Sequence, residues 1–108
     1  MPVRDVFTVI ADPTRRRILD LLLERELTVT ELVARLEAAQ PNVSKHLKVL
    51  GEAELVDVRV DGPRRHYAVA PAGLVELDRW LAPYRRAWGE RLDALEAHLD
   101  QMPDDDVE

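Results

Sequence analysis

The stretch Gln40-Pro41-Asn42-Val43-Ser44-Lys45-His46-Leu47-Lys48-Val49-Leu50 gathers two amides, a hydroxyl, an imidazole and two ammonium groups in one short run. Val43, Leu47 and Leu50 fall at i, i+4 and i+7, so on a helix they form a single buried stripe. At 100° per residue, Pro41, Lys45 and Lys48 then lie opposite that stripe, with Ser44 on the shoulder and Gln40 and Asn42 at the N-terminal end. No carboxylate lies between Glu37 and Glu52. A helix entering the major groove requires such a face: amides and hydroxyls meet base edges, cations meet phosphates, and nothing repels the backbone. His46 stands about 60° from the buried direction. It reads equally as a packed side chain, a phosphate contact or a base reader. The plain alternative is an ordinary surface helix with solvated lysines, and the segment that follows argues against it.

In that segment the period changes from 3.6 to 2. Val56, Val58 and Val60 alternate with Asp57, Arg59 and Asp61, the pattern of a half-buried strand. Asp61-Gly62-Pro63 signals a turn. Arg65, Tyr67 and Val69 then alternate with His66, Ala68 and Ala70 as a return strand. The result is a two-stranded hairpin over about 55–70, a wing. Arg64 and Arg65 follow its turn, where a hairpin tip reaches a flanking minor groove or the DNA backbone. Otherwise they only keep an exposed hairpin soluble. Tyr67 is expected to pack against the motif rather than stack on a base.

The elements that position these groups are legible upstream. Val3, Val6, Phe7 and Ile10 suit one face of a short helix. Asp12-Pro13 opens a second helix, Asp as N-cap and Pro at the first helical position, running to about Arg25 with Ile18, Leu21 and Leu22 buried. Arg15-Arg16-Arg17 sits in its first turn, where the helix dipole disfavours cations. Solvated side chains with local pairing to Asp12 and Asp20 are the plain reading of that triplet, and phosphate contact the functional one. Thr28-Val29-Thr30-Glu31 has capping-box spacing and opens a third helix burying Leu32, Val33 and Leu36. A tight turn then leads to the helix at about 40–51, making a helix-turn-helix.

Past Pro71, Leu74, Leu77, Leu81, Tyr84, Trp88, Leu92, Leu95, Leu99 and Met102 trace a narrow helical seam with one stutter. Pro83 falls within it and predicts a kink or break near Ala82. Residues 1–102 are expected to form one winged-helix domain, mainly α with a β-hairpin wing, carrying N- and C-terminal dimerisation helices. Residues 103–108 are expected to be a disordered acidic tail.

Composition bounds the rest. A chain of 108 residues suits one domain. The net charge of −6 by itself argues against a nucleic-acid partner, but residues 1–70 hold 11 basic and 11 acidic side chains. The whole deficit lies in residues 71–108, so a basic surface earlier in the chain is compatible with it. Cysteine is absent, which removes disulfides, thiolate metal sites and a cysteine nucleophile. No apolar run is long enough for a bilayer and no leader precedes Asp5, so a cytoplasmic location is expected. A Gly-rich phosphate loop, a metal cluster and a nucleophile–base arrangement are all missing, so no enzymatic activity and no cofactor are expected. With Lys45, Lys48, Arg59, Arg64 and Arg65 as its reading cations, one copy is a weak DNA binder. Two copies on a two-fold-symmetric duplex site answer that weakness.

Ala11 to Leu19, Glu31-Leu32-Val33 and Gln40 to Leu50 resemble the ArsR/SmtB family of bacterial transcriptional repressors, over about Val6 to Val69. The Gln40–Leu50 string is the specific part. The Leu77–Leu99 stretch is similar to cysteine-free members. The resemblance implies a winged-helix homodimer that occupies an operator on double-stranded DNA. It places DNA contacts at Gln40, Asn42, Ser44, Lys45, His46 and Lys48, and in the wing at Arg64 and Arg65. The expected dimer interface comprises Val6, Phe7, Ile10, Trp80, Tyr84, Trp88, Leu92, Leu95 and Leu99. Three positions depart from the family. Ala39 stands where a capping Ser is usual, a difference worth about 1 kcal/mol. Glu54 stands where Gly commonly ends the recognition helix, with Gly51 inside it, and a shifted helix end is expected.

Metal-sensing relatives carry Cys-x-Cys before the recognition helix, where this chain reads Leu32-Val33-Ala34-Arg35. The family's other metal site needs a second histidine on the last helix, which offers only Asp93, Glu96, His98 and Asp100. No metal is therefore expected. Trp80, Tyr84 and Trp88 could line an effector pocket at the dimer seam, although aromatic stripes more often form interfaces. The sequence names no operator and no effector. The competing function is a winged-helix protein-interaction module whose basic face meets an acidic partner.

Overall fold

The structure, a computed structural model, describes residues 5–102. Val3 and the acidic run 103–108 lie outside the described residues. The elements run α1 (Val6–Ile10), α2 (Pro13–Glu24), β1 (Leu27–Thr28), α3 (Val29–Leu36), α4 (Gln40–Glu52), β2 (Val56–Asp61), β3 (Arg64–Val69) and α5 (Pro71–Gln101). They divide into two units after Leu77: a winged helix-turn-helix, and the helical remainder of α5.

Capping chemistry sets the helix starts. The Asp5 carboxylate accepts from the amide of Phe7 at 3.1 Å and from the Thr8 hydroxyl at 3.1 Å. Asp12 Oδ1 accepts from the amides of Thr14 (2.8 Å) and Arg15 (3.2 Å), with Pro13 in the first turn. Thr28 and Glu31 form the reciprocal box, each side chain holding the other's amide. Each such cap satisfies amides the helix leaves without partners. α4 starts without one: Ala39 offers no side-chain acceptor.

The helices of the first unit converge on Ile18, Leu27, Leu32, Val43, Leu47, Leu50 and Leu55, all at most 2 % exposed. The sheet is antiparallel with order β1-β3-β2, so the wing hairpin β2–β3 gains a third, two-residue strand on its inner edge. Two residues are too short to show a period in sequence. The register pairs Val56 with Val69, Val58 with Tyr67, Val60 with Arg65 and Asp61 with Arg64. Gly62 turns the hairpin at φ 60, in the left-handed region that glycine enters freely.

One expectation fails here, and one alternative of another. Of the alternating valines only Val56 is buried; Val58 and Val60 are 48 % and 64 % exposed, because the hairpin projects past the core that covers its base. The helix over Pro71–Gln101 contains Pro83 without a break. Proline deletes one amide donor there, and the helix continues through it, so of the expected kink or break the break does not occur.

Candidate nucleic-acid interface

The geometry of α4 is set from beneath. Val43, Leu47 and Leu50 are buried, which turns Gln40, Asn42, Ser44, Lys45 and Lys48 outward, all exposed. The first carboxylate on the helix is Glu52, in its last turn. The helix closes with Glu54 in the left-handed region (φ 58), the amide of Leu55 donating to Leu50 O at 2.9 Å and that of Glu54 to Gly51 O at 3.0 Å. This closure normally uses glycine, and here a glutamate adopts it.

The wing stands beside that face. Gln40, Ser44 and Lys48 of α4 and Val58, Arg65 and Tyr67 of the hairpin line one open cleft of about 540 Å³. Gln40 and Tyr67, 27 positions apart, therefore share one surface. Gln40 also lines a smaller hollow of about 250 Å³ with Thr30, Pro63, Arg64 and Arg65. Thr30 is a polar position the sequence reading did not include. Its signal was the capping box, which puts it in the first turn of α3 beside the start of α4. Lys45 and Asn42 are exposed outside both hollows. Tyr67 packs partly buried against the core, as its spacing predicts.

Not every cation is available. Arg59 is held by the carboxylate of Glu26, and that guanidinium is the main reason the Glu26 carboxyl sits below its usual range. Two of the arginine triplet are engaged as well: Arg15 acts electrostatically on Asp12, as expected, and both Arg15 and Arg16 reach backbone carbonyls. Arg15 Nε donates to His46 Nδ1 at 3.2 Å and its Nη1 to Val9 O at 3.3 Å, while Arg16 Nη1 donates to the carbonyls of Ile10 (2.7 Å) and Ala11 (3.1 Å). His46 is half-buried against α2. Among the described residues, no three His, Asp or Glu side chains converge as a metal site, and no helix is long and apolar enough to cross a membrane.

The model of the bacterial regulatory protein arsR family matches residues 12–58, from the cap of α2 into the wing. The HTH-type transcriptional regulator Rv2034 of Mycobacterium tuberculosis is 41 % identical over 96 residues, 89 % of this chain and 87 % of that protein. The transcriptional repressor SdpR of Bacillus subtilis is 32 % identical over 79 residues, 73 % and 88 % of the two chains. A crystal structure described as a possible transcriptional regulator for arsenical resistance is 42 % identical, with a TM-score of 0.68 over 94 % of this chain and all of that one. The chain belongs to the arsR family. It is a DNA-binding transcription regulator with the winged helix-turn-helix fold.

In this arsR-family regulator the positions expected at a dimer interface divide. Val6 is 0 % exposed and packs in the core of the first unit. Phe7 is 36 % exposed and Ile10 half-buried. On α5, Trp80, Tyr84, Trp88, Leu92, Leu95 and Leu99 are all between 47 % and 56 % exposed. The Trp80 and Tyr84 rings lie 5.0 Å apart, tilted 42° to each other, and Arg91 covers the Trp88 ring at 4.6 Å.

Proposed function

We propose that this arsR-family regulator is a homodimeric repressor that lays α4 in the major groove of a two-fold-symmetric operator, with the β2–β3 wing alongside. The observation that carries it is the outward face of α4: Gln40, Asn42, Ser44, Lys45 and Lys48 exposed and free of carboxylates, flanked by Arg64 and Arg65. Gln40 and Asn42 have the amide geometry that reads a base edge bidentately, and Ser44 serves either base or phosphate. Lys45, Lys48, Arg64 and Arg65 serve phosphates, which fix register without reading sequence. His46, gripped from inside by Arg15, joins the set through its remaining nitrogen. The exposed apolar stripe of α5 supports pairing with a second copy, since isolated domains seldom leave so many large apolar side chains in water.

Selection and sequencing of bound genomic fragments tests this reading, recovering short inverted repeats if it holds. On such a fragment, Lys45→Ala or Arg65→Ala weakens binding and lowers the slope of log K against log salt by about 0.9 for each phosphate no longer neutralised. Unchanged titrations for both variants at low salt overturn it. Capture of a stoichiometric acidic protein without any duplex binding would favour the interaction-module reading instead.

A further inference from the structure

We propose that Arg15 is a positioning residue for operator recognition, acting through His46 of the recognition helix; this rests on the duplex-binding reading above. Arg15 reaches three elements at once. Its backbone amide is held by Asp12 Oδ1 at 3.2 Å, its Nη1 by the Val9 carbonyl at 3.3 Å, and its Nε points at His46 Nδ1 at 3.2 Å. A guanidinium offers only donors. The His46 Nδ1 must therefore present its lone pair, which puts the ring proton on Nε2 and holds the imidazole in one tautomer.

The consequence is a choice of polarity at the recognition helix. With Nδ1 tied to the protein, the nitrogen left to His46 is an N–H donor. A duplex presents matching acceptors, the N7 and O6 of guanine and the phosphate oxygens. A free imidazole interconverts between tautomers and ring orientations, and would offer a lone pair to those same acceptors part of the time. Arg15 removes that ambiguity while committing its Nε and one Nη1 donor inside the protein. The planar fork suits this role, since it presents Nε to the ring and Nη1 to the Val9 carbonyl from one rigid plane.

Long-range proton–nitrogen spectra of the free, nitrogen-labelled wild-type protein test the pairing directly. His46 is expected to show the Nε2–H pattern, and Arg15→Met to convert it to a mixture. On a duplex recovered by genomic selection, Arg15→Met is expected to weaken binding about tenfold, the cost of one poorly placed hydrogen bond to a charged or base acceptor. The salt slope should stay unchanged, whereas removing a cation that neutralises a phosphate directly lowers it by about 0.9. In a His46→Ala background the same substitution should change Kd by less than about twofold, because the residue acts through the missing ring. A mixed or Nδ1–H tautomer in wild-type protein that does bind duplex overturns this proposal alone, as does a lowered salt slope or an additive double variant. Absence of any duplex binding overturns the function reading on which it stands.

Discussion

The amide of Gly73 donates to the carbonyl of Glu54 at 2.8 Å, and a Cβ on Gly73 would lie 2.7 Å from the carbonyl oxygen of Ala53 and 2.7 Å from Leu55 Cδ2. The first turn of α5 thus lies against the end of the recognition helix with no room for a methyl group. Alanine is the better helix former by about 1 kcal/mol, but a backbone oxygen cannot rotate away. Gly73→Ala is expected to destabilise the domain by about 1–3 kcal/mol in spite of its propensity gain. Urea unfolding measures it; an unchanged or raised midpoint would show that the two segments separate at little cost.

Glu54 itself is in a conformation suited to another residue. At φ 58 it occupies the left-handed region, which costs a side-chain-bearing residue about 1–2 kcal/mol, against the 0.5–1 kcal/mol of entropy that glycine loses on folding. Glu54→Gly is expected to raise stability by up to about 1 kcal/mol, with Glu54→Asn between the two. The backbone bonds that close α4 involve no Glu54 side-chain atom, so duplex affinity should not change. A loss of stability in the glycine variant would show that the glutamate side chain contributes something its exposed position does not suggest.

Acid should weaken the fold through its caps. Desolvation pushes the Asp12 carboxyl upward, but the amides of Arg15 and Thr14, with the Arg15 guanidinium adding to them, outweigh it, so its pKa lies below the ordinary aspartate value. The Thr28 amide is the main cause of the same lowering at Glu31, helped by the Thr28 hydroxyl and Arg25. A lowered folded pKa means that the unfolded chain binds more protons as acid is added. The stabilisation is present above the ordinary carboxylate range and is lost as pH falls through the folded values, below about pH 4.5. Asp12→Ala is expected to cost about 1 kcal/mol at pH 7. Asp12→Asn keeps the acceptor oxygen and loses the charge, so its urea midpoint should change less than the wild type's between pH 7 and pH 3. Parallel pH curves for the two would rule Asp12 out as a contributor.

These effects differ in how far sequence announces them. The α4 face was readable because helical geometry is local: once Val43, Leu47 and Leu50 are taken as buried, the directions of Lys45 and Lys48 follow. The caps at Asp12 and Thr28 were readable for the same reason. Arg15–His46 and Arg59–Glu26 join residues 31 and 33 positions apart, and no local pattern carries such pairings. The valines of β2 announced a strand, but alternation does not say how far a hairpin extends beyond the core. Val6 had the spacing of an interface residue and that of a core residue alike, and its burial is set by packing that spacing does not carry.

The seam of α5 gives the most consequential measurement. Trp88, Leu92, Leu95 and Leu99 are 47–56 % exposed, and burying a leucine side chain is worth about 1.5–3 kcal/mol, so covering this stripe with its counterpart from a second copy yields a large gain. Charges placed there should cost the folded single chain little, since these side chains already meet water, and cost a paired one heavily. Light scattering is expected to give twice the 12.3 kDa chain mass for the wild type and the single mass for Leu92→Asp combined with Leu99→Asp. Helix content by circular dichroism should be largely retained in the variant. Its affinity for a two-half-site duplex should drop steeply, because each half-site must then be found independently. A wild-type chain that scatters at the single mass, or a double variant that still pairs, would remove α5 as the dimerisation element and leave the recognition helix to bind one half-site at a time.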